Sequence, residues 1–225
     1  MTRKLPVVAM DGPAGAGKST VARMLAAELG FGLIDTGAIY RTVALAASRA
    51  SLATSDAAAV TQLAEQLVER RAIALEGAKT ILDGEDVSLA IRTPEMSLAA
   101  SAVSAIPGVR AALLAVQRQL GANGGVVLEG RDIGTVVFPD AERKFYVTAS
   151  IEVRAKRRYD ELTAKGTEVS YEATLDDVRK RDEADSTRAV APLKPAPDAE
   201  IIDTSTMSIE EVVKALAARV RSAYA

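Results

Sequence analysis

The chain has 225 residues, 48% of them hydrophobic, which is enough for one α/β domain with insertions and a sizeable core. Its 28 basic and 30 acidic residues nearly cancel, so the whole-chain charge points to neither nucleic acid nor an anionic membrane as a partner, and any anion site must be local. With no Cys and no His, thiolate nucleophiles, disulfides, zinc sites of the usual ligand types and imidazole bases are excluded.

The first apolar run, Leu5–Met10, reads as a buried strand. It is too short for the apolar stretch of a secretion signal, and no segment approaches the ~18 apolar residues of a membrane span, so the chain is expected to be cytoplasmic. Further strands are predicted at Phe31–Asp35, Val126–Glu129, Lys144–Ala149 and Glu200–Asp203, alternating with helical segments. That rhythm predicts an α/β fold, a parallel sheet with helices on both faces. Between the second and third strands, Ala72–Leu75 and Thr80–Asp83 read as an antiparallel hairpin inside an inserted subdomain running from residue 36 to about 108. Thr93 then caps a helix with Pro94 at its first position, and Pro107-Gly108 break that helix before another carrying Arg110, Leu113, Leu114 and Leu120. The last helix opens with a capping box, Ser208 to Glu211, and places Val212, Val213, Leu216 and Val220 on one face.

The loop after the first strand carries the chemistry. Gly12, Pro13, Ala14, Gly15, Ala16, Gly17, Lys18 and Ser19 spell G-x-x-x-x-G-K-S, with a strand before them and an amphipathic helix starting near Ser19 that carries Val21, Met24, Leu25 and Leu29 to a stop at Gly30. Such a loop turns consecutive N–H groups inward around a nucleotide's phosphates, at the positive end of the helix dipole. Lys18 is expected to face solvent and reach the β and γ phosphates, and the Ser19 hydroxyl to ligate Mg²⁺.

Further clusters follow at strand ends, where ligands of parallel sheets bind. Asp35-Thr36-Gly37-Ala38-Ile39-Tyr40-Arg41 closes the second strand, and Glu129-Gly130-Arg131-Asp132-Ile133-Gly134-Thr135 the third. Arg181, Asp185 and Arg188 are spaced to share one helical face. An isolated Arg reads first as a solvated charge, but Arg41 and Arg131 each adjoin a Gly-containing turn directly after a strand, the place for a bidentate phosphate contact. Asp35 reads either as a helix cap or as a group positioning the waters of Mg²⁺. Arg154-Ala155-Lys156-Arg157-Arg158 reads either as an exposed helix face or as part of a lid over residues 151 to 166 that brings positive charge to a transferring group.

Asp11 through Thr20, Asp35 through Arg41, Ile91-Arg92-Thr93-Pro94-Glu95, Gly130 through Pro139 and Arg188 through Leu193 together resemble the bacterial cytidylate kinase family, in order along the whole chain. The resemblance implies a P-loop nucleoside triphosphate hydrolase-type fold with a five-stranded parallel sheet, a nucleoside monophosphate-binding insert over 36–108, a short lid, and transfer of the γ-phosphoryl group of ATP to CMP or dCMP with Mg²⁺. It assigns Gly12 through Thr20 to ATP. Thr36 and Asp132 fall on the cytosine amino group, Ser101 and Arg110 on the rest of the pyrimidine, Arg181 and Asp185 on the sugar, and Arg41, Arg131 and Arg188 on the acceptor phosphate. Lys18, Arg131, Arg188 and the lid residues Arg157 and Arg158 would neutralise the transferring group. Thr36 departs from the family, which often has Ser there, and keeps the hydroxyl. The resemblance also implies a monomer acting on small nucleotides, with no nucleic acid or membrane partner.

Rival readings are weaker. A GTPase switch needs an N-K-x-D base-reading motif, which the chain lacks, and a remodelling ATPase would hydrolyse ATP without an acceptor. Among kinases, the alternative is a broader UMP/CMP-type or small-metabolite enzyme.

Overall fold

The computed structural model describes residues 3–164, 166–222 and 224, and the chain divides into two compact units, Met1–Leu33 with Gly124–Ala225, and Ile34–Asn123. Lys165, which falls within the expected lid, lies outside the described residues.

The first unit is built on a sheet whose strands are β1 (Val7–Asp11), β2 (Gly32–Asp35, which crosses the division between the units), β6 (Val126–Glu129), β7 (Arg143–Thr148) and β8 (Glu200–Asp203), in the order β2-β6-β1-β7-β8. Every residue of β1 is buried, as a strand covered on both faces requires. It pairs in parallel with β6, Met10 opposite Glu129, and with β7, Asp11 opposite Tyr146, so the ends of these strands reach the same edge. The first strand begins later than the apolar run, because Pro6 has no N–H to give the ladder and the Val7 N–H is instead met by Glu142 Oε2 at 2.8 Å. Helices α1 (Lys18–Leu29) and α8 (Ile209–Arg221) cover the sheet, closing Val8, Met10, Leu25, Phe145, Val147 and Leu216 into one core. After β7 come α6 (Ile151–Ala164) and α7 (Tyr171–Thr187), joined through Gly166 at φ 77°.

The second unit holds α2 (Thr36–Arg49), α3 (Ala57–Glu69), α4 (Pro94–Ala105) and α5 (Pro107–Gly121), together with an antiparallel sheet of β3 (Ile73–Glu76), β4 (Lys79–Leu82) and the short β5 (Glu85–Asp86). The hairpin forms in the expected place, with Glu76 opposite Lys79. The expected insert boundary near residue 108 instead falls at the start of α5. This helix stays in the unit because Val109 and Leu113 are fully buried with Ile39, Val43, Leu67, Ile91 and Val103. Among the described residues no single helix is long and apolar enough to cross a membrane; α4 and α5 pass only as a pair bent by 98°.

Capping decides where the helices begin. Thr93, Asp35 and Ser170 each accept a backbone N–H of the first turn, and Ser208 and Glu211 complete both halves of a capping box at α8. The two hydrogen bonds from Ser208 hold the Glu211 carboxyl below its ordinary range. Ser208→Ala removes the hydroxyl half of this box at an exposed site, so it is expected to cost about 1 kcal/mol and to lower Tm by about 2–4 °C. A thermal melt that moves by less than about 0.5 °C would show that α8 does not depend on its cap.

Candidate active site

In the first unit the loop from Gly12 to Ser19 leaves β1 and enters α1, whose N-cap is Gly17. Gly12 has φ 143°, and a Cβ there would lie 1.9 Å from the Val147 carbonyl oxygen, so only glycine lets the loop pass so close to β7. A Cβ at Gly15 would stand 3.0 Å from the Arg154 carbonyl oxygen, which presses the loop tip against the first turns of α6.

Lys18 differs from expectation: it is buried, not solvent-facing, and Nζ donates to the Pro13 carbonyl at 2.6 Å across the loop. Burial, and then the Arg131 guanidinium, push its ammonium well below the ordinary lysine range, with Glu129 and Asp11 acting the other way. Beside it, the Ser19 hydroxyl donates to Glu129 Oε2 at 2.7 Å.

The turn after β6 carries Arg131 and Asp132, and each meets an opposite charge from the end of α7. Arg131 Nε donates to Asp185 Oδ2 at 2.8 Å, and Arg188 Nη2 lies 3.6 Å from Asp132 Oδ1 with both side chains almost fully buried. Burial works against the Asp185 carboxylate, but Arg131, Arg181 and Arg188 together hold it below its ordinary range. Arg188 also donates through Nε to the Ala191 carbonyl at 2.6 Å, just past the end of α7. Arg181 and Asp185 lie on α7, as their spacing predicts, while Arg188 is its C-cap in an extended conformation, ψ 141°, and so continues past the helix.

The segment after Asp132 is a wide helical turn, Ile133–Val137, closed by hydrogen bonds from Val137 N to Asp132 O and from Phe138 N to Ile133 O, five residues apart in each case. It is anchored from below by Asp11, whose Oδ1 accepts the Ile133 N–H at 2.8 Å and whose Oδ2 accepts the Gly134 N–H at 2.7 Å. Burial nevertheless raises the Asp11 carboxyl to about 6. Since the folded pKa lies above the ordinary value of 3.8, Asp11 withdraws stability as pH rises from 3.8 to about 6. The loss is about 3 kcal/mol at neutral pH, where the group is mostly ionised.

The basic run after β7 is held by partners and does not form a bare cationic face. Arg154, buried, donates through Nη1 to the Ala14 carbonyl of the phosphate loop at 3.2 Å and through Nε to the Ala149 carbonyl, and pairs with Asp182 of α7 at 2.7 Å. Arg157 donates to the Thr204 hydroxyl at 3.1 Å and to the Thr204 carbonyl at 2.8 Å, while that hydroxyl donates to the Ala16 carbonyl. Only Arg158 and Lys156 have exposed partners, Glu161 and Asp160.

In the second unit Asp35 is the N-cap of α2, accepting the Ala38 N–H at 3.0 Å, and its other oxygen holds Arg41 at 2.7 Å. The cap reading of Asp35 therefore stands. Thr36, buried, opens the helix. Arg110 of α5 is buried with its guanidinium 5.5 Å from the Tyr40 ring centroid and donates to the Ser104 carbonyl at 3.3 Å, while Ser101 lies one turn earlier on α4.

Three residues without an expected role, Asp11, Glu129 and Thr204, hold these groups together with Arg154 of the basic run. Asp11 and Glu129 stand inside the quoted motifs at the last positions of β1 and β6, and a carboxylate ending a buried strand is the signal that marks them. Thr204 carries no such signal.

The cytidylate kinase family model matches residues 8–222. The chain is 54% identical over 95% of its length to the cytidylate kinase of Syntrophotalea carbinolica, covering 91% of that protein. It is 52% identical to the cytidylate kinase of Pelotomaculum thermopropionicum, covering 96% of each. In structure it resembles a gluconokinase from Sinorhizobium meliloti 1021 with a TM-score of 0.50 at 13% identity, over 98% of this chain and 94% of that one, a likeness of fold. A family model that spans residues 8–222 and sequence identity of about half along nearly the whole length agree: this chain belongs to the cytidylate kinase family.

Proposed function

We propose that the protein transfers the γ-phosphoryl group of ATP to CMP or dCMP, giving ADP and CDP or dCDP, as a monomer in the cytoplasm. The observation that carries this reading is the pairing of Arg131 with Asp185 and of Arg188 with Asp132 beside the phosphate loop, within a family whose relatives are named for this activity. Phosphoryl transfer through a loose transition state asks for positioning and charge, not for a nucleophilic side chain, and suits a chain without His or Cys. The acceptor's oxygen is already anionic, so no general base is needed.

Gly12 through Thr20 hold the donor phosphates by backbone N–H groups, and Lys18 exchanges the Pro13 carbonyl for phosphate oxygen. Arg41, Arg131 and Arg188 take the acceptor phosphate, Arg181 and Asp185 the sugar, and Thr36, Ser101, Arg110 and Asp132 the base. Pairing to carboxylates holds the guanidiniums in place beforehand, so less reorganisation is needed as charge develops. Arg157 and Arg158, with residues 151 to 166 as the lid, add positive charge as the site closes. Mg²⁺ suits the Ser19 hydroxyl and the Glu129 carboxylate 2.7 Å from it, an oxygen donor pair of the hard kind, and when bound it screens the phosphates' negative charge.

Lys18→Ala removes the ammonium from the transferring group and is expected to lower kcat by at least about 10²-fold. Because Lys18 is buried against Pro13, circular dichroism and a melt should accompany the assay; a folded variant with unchanged kcat would refute the role of the loop.

Base choice gives a sharper test. A carboxylate accepts from the amino group of cytosine and repels the carbonyl of uracil, a difference worth about 1–3 kcal/mol, or roughly 5- to 150-fold. Asp132→Ala is therefore expected to lower kcat/KM for CMP and to narrow the CMP-to-UMP ratio. Asp185→Ala should leave that ratio alone and change the CMP-to-dCMP ratio. If Asp132 serves only to brace Arg188, CMP and UMP will fall together in Asp132→Ala.

A further inference from the structure

Outside the residues already given a role, the buried group most strongly tied to the site is Asp11. It is the last residue of β1 and the neighbour of Gly12, so its place in the chain points to the donor loop. Its hydrogen bonds point elsewhere. Both carboxylate oxygens are occupied by backbone N–H groups of the wide turn after β6, Ile133 at 2.8 Å and Gly134 at 2.7 Å, from a segment 122 and 123 residues further along the chain. The Lys144 stem packs against the same turn beside Asp11, since a Cβ at Gly134 would meet Lys144 Cδ at 3.1 Å and Asp11 Oδ2 at 3.4 Å. Lys144 is itself fixed by Asp198 at 2.8 Å and by the Pro139 carbonyl at 2.6 Å. The two residues that immediately precede this clamped pair of amides are Arg131 and Asp132.

We propose that Asp11 is a positioning residue for the acceptor nucleotide: by gripping the amides of Ile133 and Gly134 it fixes the backbone from which Arg131 and Asp132 project, and so sets acceptor binding and base choice. The inference rests on the acceptor roles given above to Arg131 and Asp132. A carboxylate is the group that can do this, since two adjacent N–H donors need two acceptor oxygens in one plane. An amide offers only one, and its NH₂ would face the second donor.

The experiment is steady-state kinetics on Asp11→Asn with ATP, CMP and UMP varied in turn, alongside Asp132→Ala and the double variant. Losing one hydrogen bond to a buried charged group is expected to lower kcat/KM for CMP about tenfold or more. KM for ATP should move by less than about twofold, since the donor loop keeps its own contacts. The CMP-to-UMP ratio should narrow, and in the Asp132→Ala background Asp11→Asn should narrow it no further, because the two residues act through one turn. A rise in KM for ATP with the CMP parameters unchanged would overturn the proposal and make Asp11 a brace for the phosphate loop. Equal losses for CMP and UMP with a lowered Tm would overturn it in favour of a purely structural role. Should Asp132→Ala leave the CMP-to-UMP ratio unchanged while Asp11→Asn still acts on the acceptor alone, base reading by Asp132 fails and the positioning role of Asp11 stands. If Asp11→Asn does not fold, Gly134→Ala places a methyl between the turn, Asp11 and the Lys144 stem, crowds the same contact, and is read by the same split between ATP and CMP.

Discussion

An ionised side chain taken out of water costs several kcal/mol unless hydrogen bonds or opposite charge meet it, and the strand ends of this protein carry several at once. Asp11 is met by two amides, Glu129 by the Ser19 hydroxyl, Asp185 by Arg131, and Asp132 by Arg188. The parallel register that sets Met10 beside Glu129 and Asp11 beside Tyr146 brings the ends of β1, β6 and β7 together, and Asp185 and Arg188 reach them from the end of α7. The hydrophobic core of Val8, Met10, Leu25, Phe145 and Leu216 holds that register, and the charges are a load that it supports. Burial raises the Asp11 carboxyl to about 6, so its ionisation at neutral pH works against the fold and is offset by the core around it.

The contacts within the phosphate loop are of a kind that substrates can replace. Lys18 rests on a carbonyl of its own loop, and Ser19 on a carboxylate. On the proposed reading, Lys18 would trade this partner for a phosphate oxygen and Ser19 would turn its hydroxyl oxygen to Mg²⁺ without a change of fold, so the site is organised before the nucleotide arrives. Arg154 extends the same economy to the helices after β7. Its guanidinium joins the Ala14 carbonyl to Asp182, so movement of α6 or α7 would be felt at the loop tip. The Arg157–Thr204–Ala16 chain of hydrogen bonds makes a second such link.

Much of this was legible in the sequence where a local rule applies. The phosphate loop, the capping box at Ser208, the Thr93-Pro94 helix start and the hairpin around Gly77 all depend on residues within a few positions of one another. The five strands could be found because they are short apolar runs separated by polar segments, with errors of one or two residues at their ends. Long-range pairing was not legible. That Arg131 meets Asp185 and Asp132 meets Arg188, that Lys18 is buried, and that the basic run after β7 is anchored through Arg154 and Arg157 are facts of tertiary packing, which periodicity does not encode. Pro107 marks a helix start, but only the burial of Val109 and Leu113 places that helix with α2 and α3. The strand Glu85–Asp86 is too short and too polar to leave a pattern.

A charged, preorganised site of this kind should wait for its acceptor before it breaks the ATP bond. Purified protein incubated with ATP and Mg²⁺, with CMP, dCMP, UMP or no acceptor, and analysed by chromatography of the nucleotide products, tests this most directly. The expected result is ADP formed one-for-one with CDP or dCDP, weaker conversion of UMP, and almost no ADP without an acceptor. Release of ADP and inorganic phosphate at a similar rate whether or not CMP is present would contradict assignment as a nucleotide kinase and make the protein an ATPase.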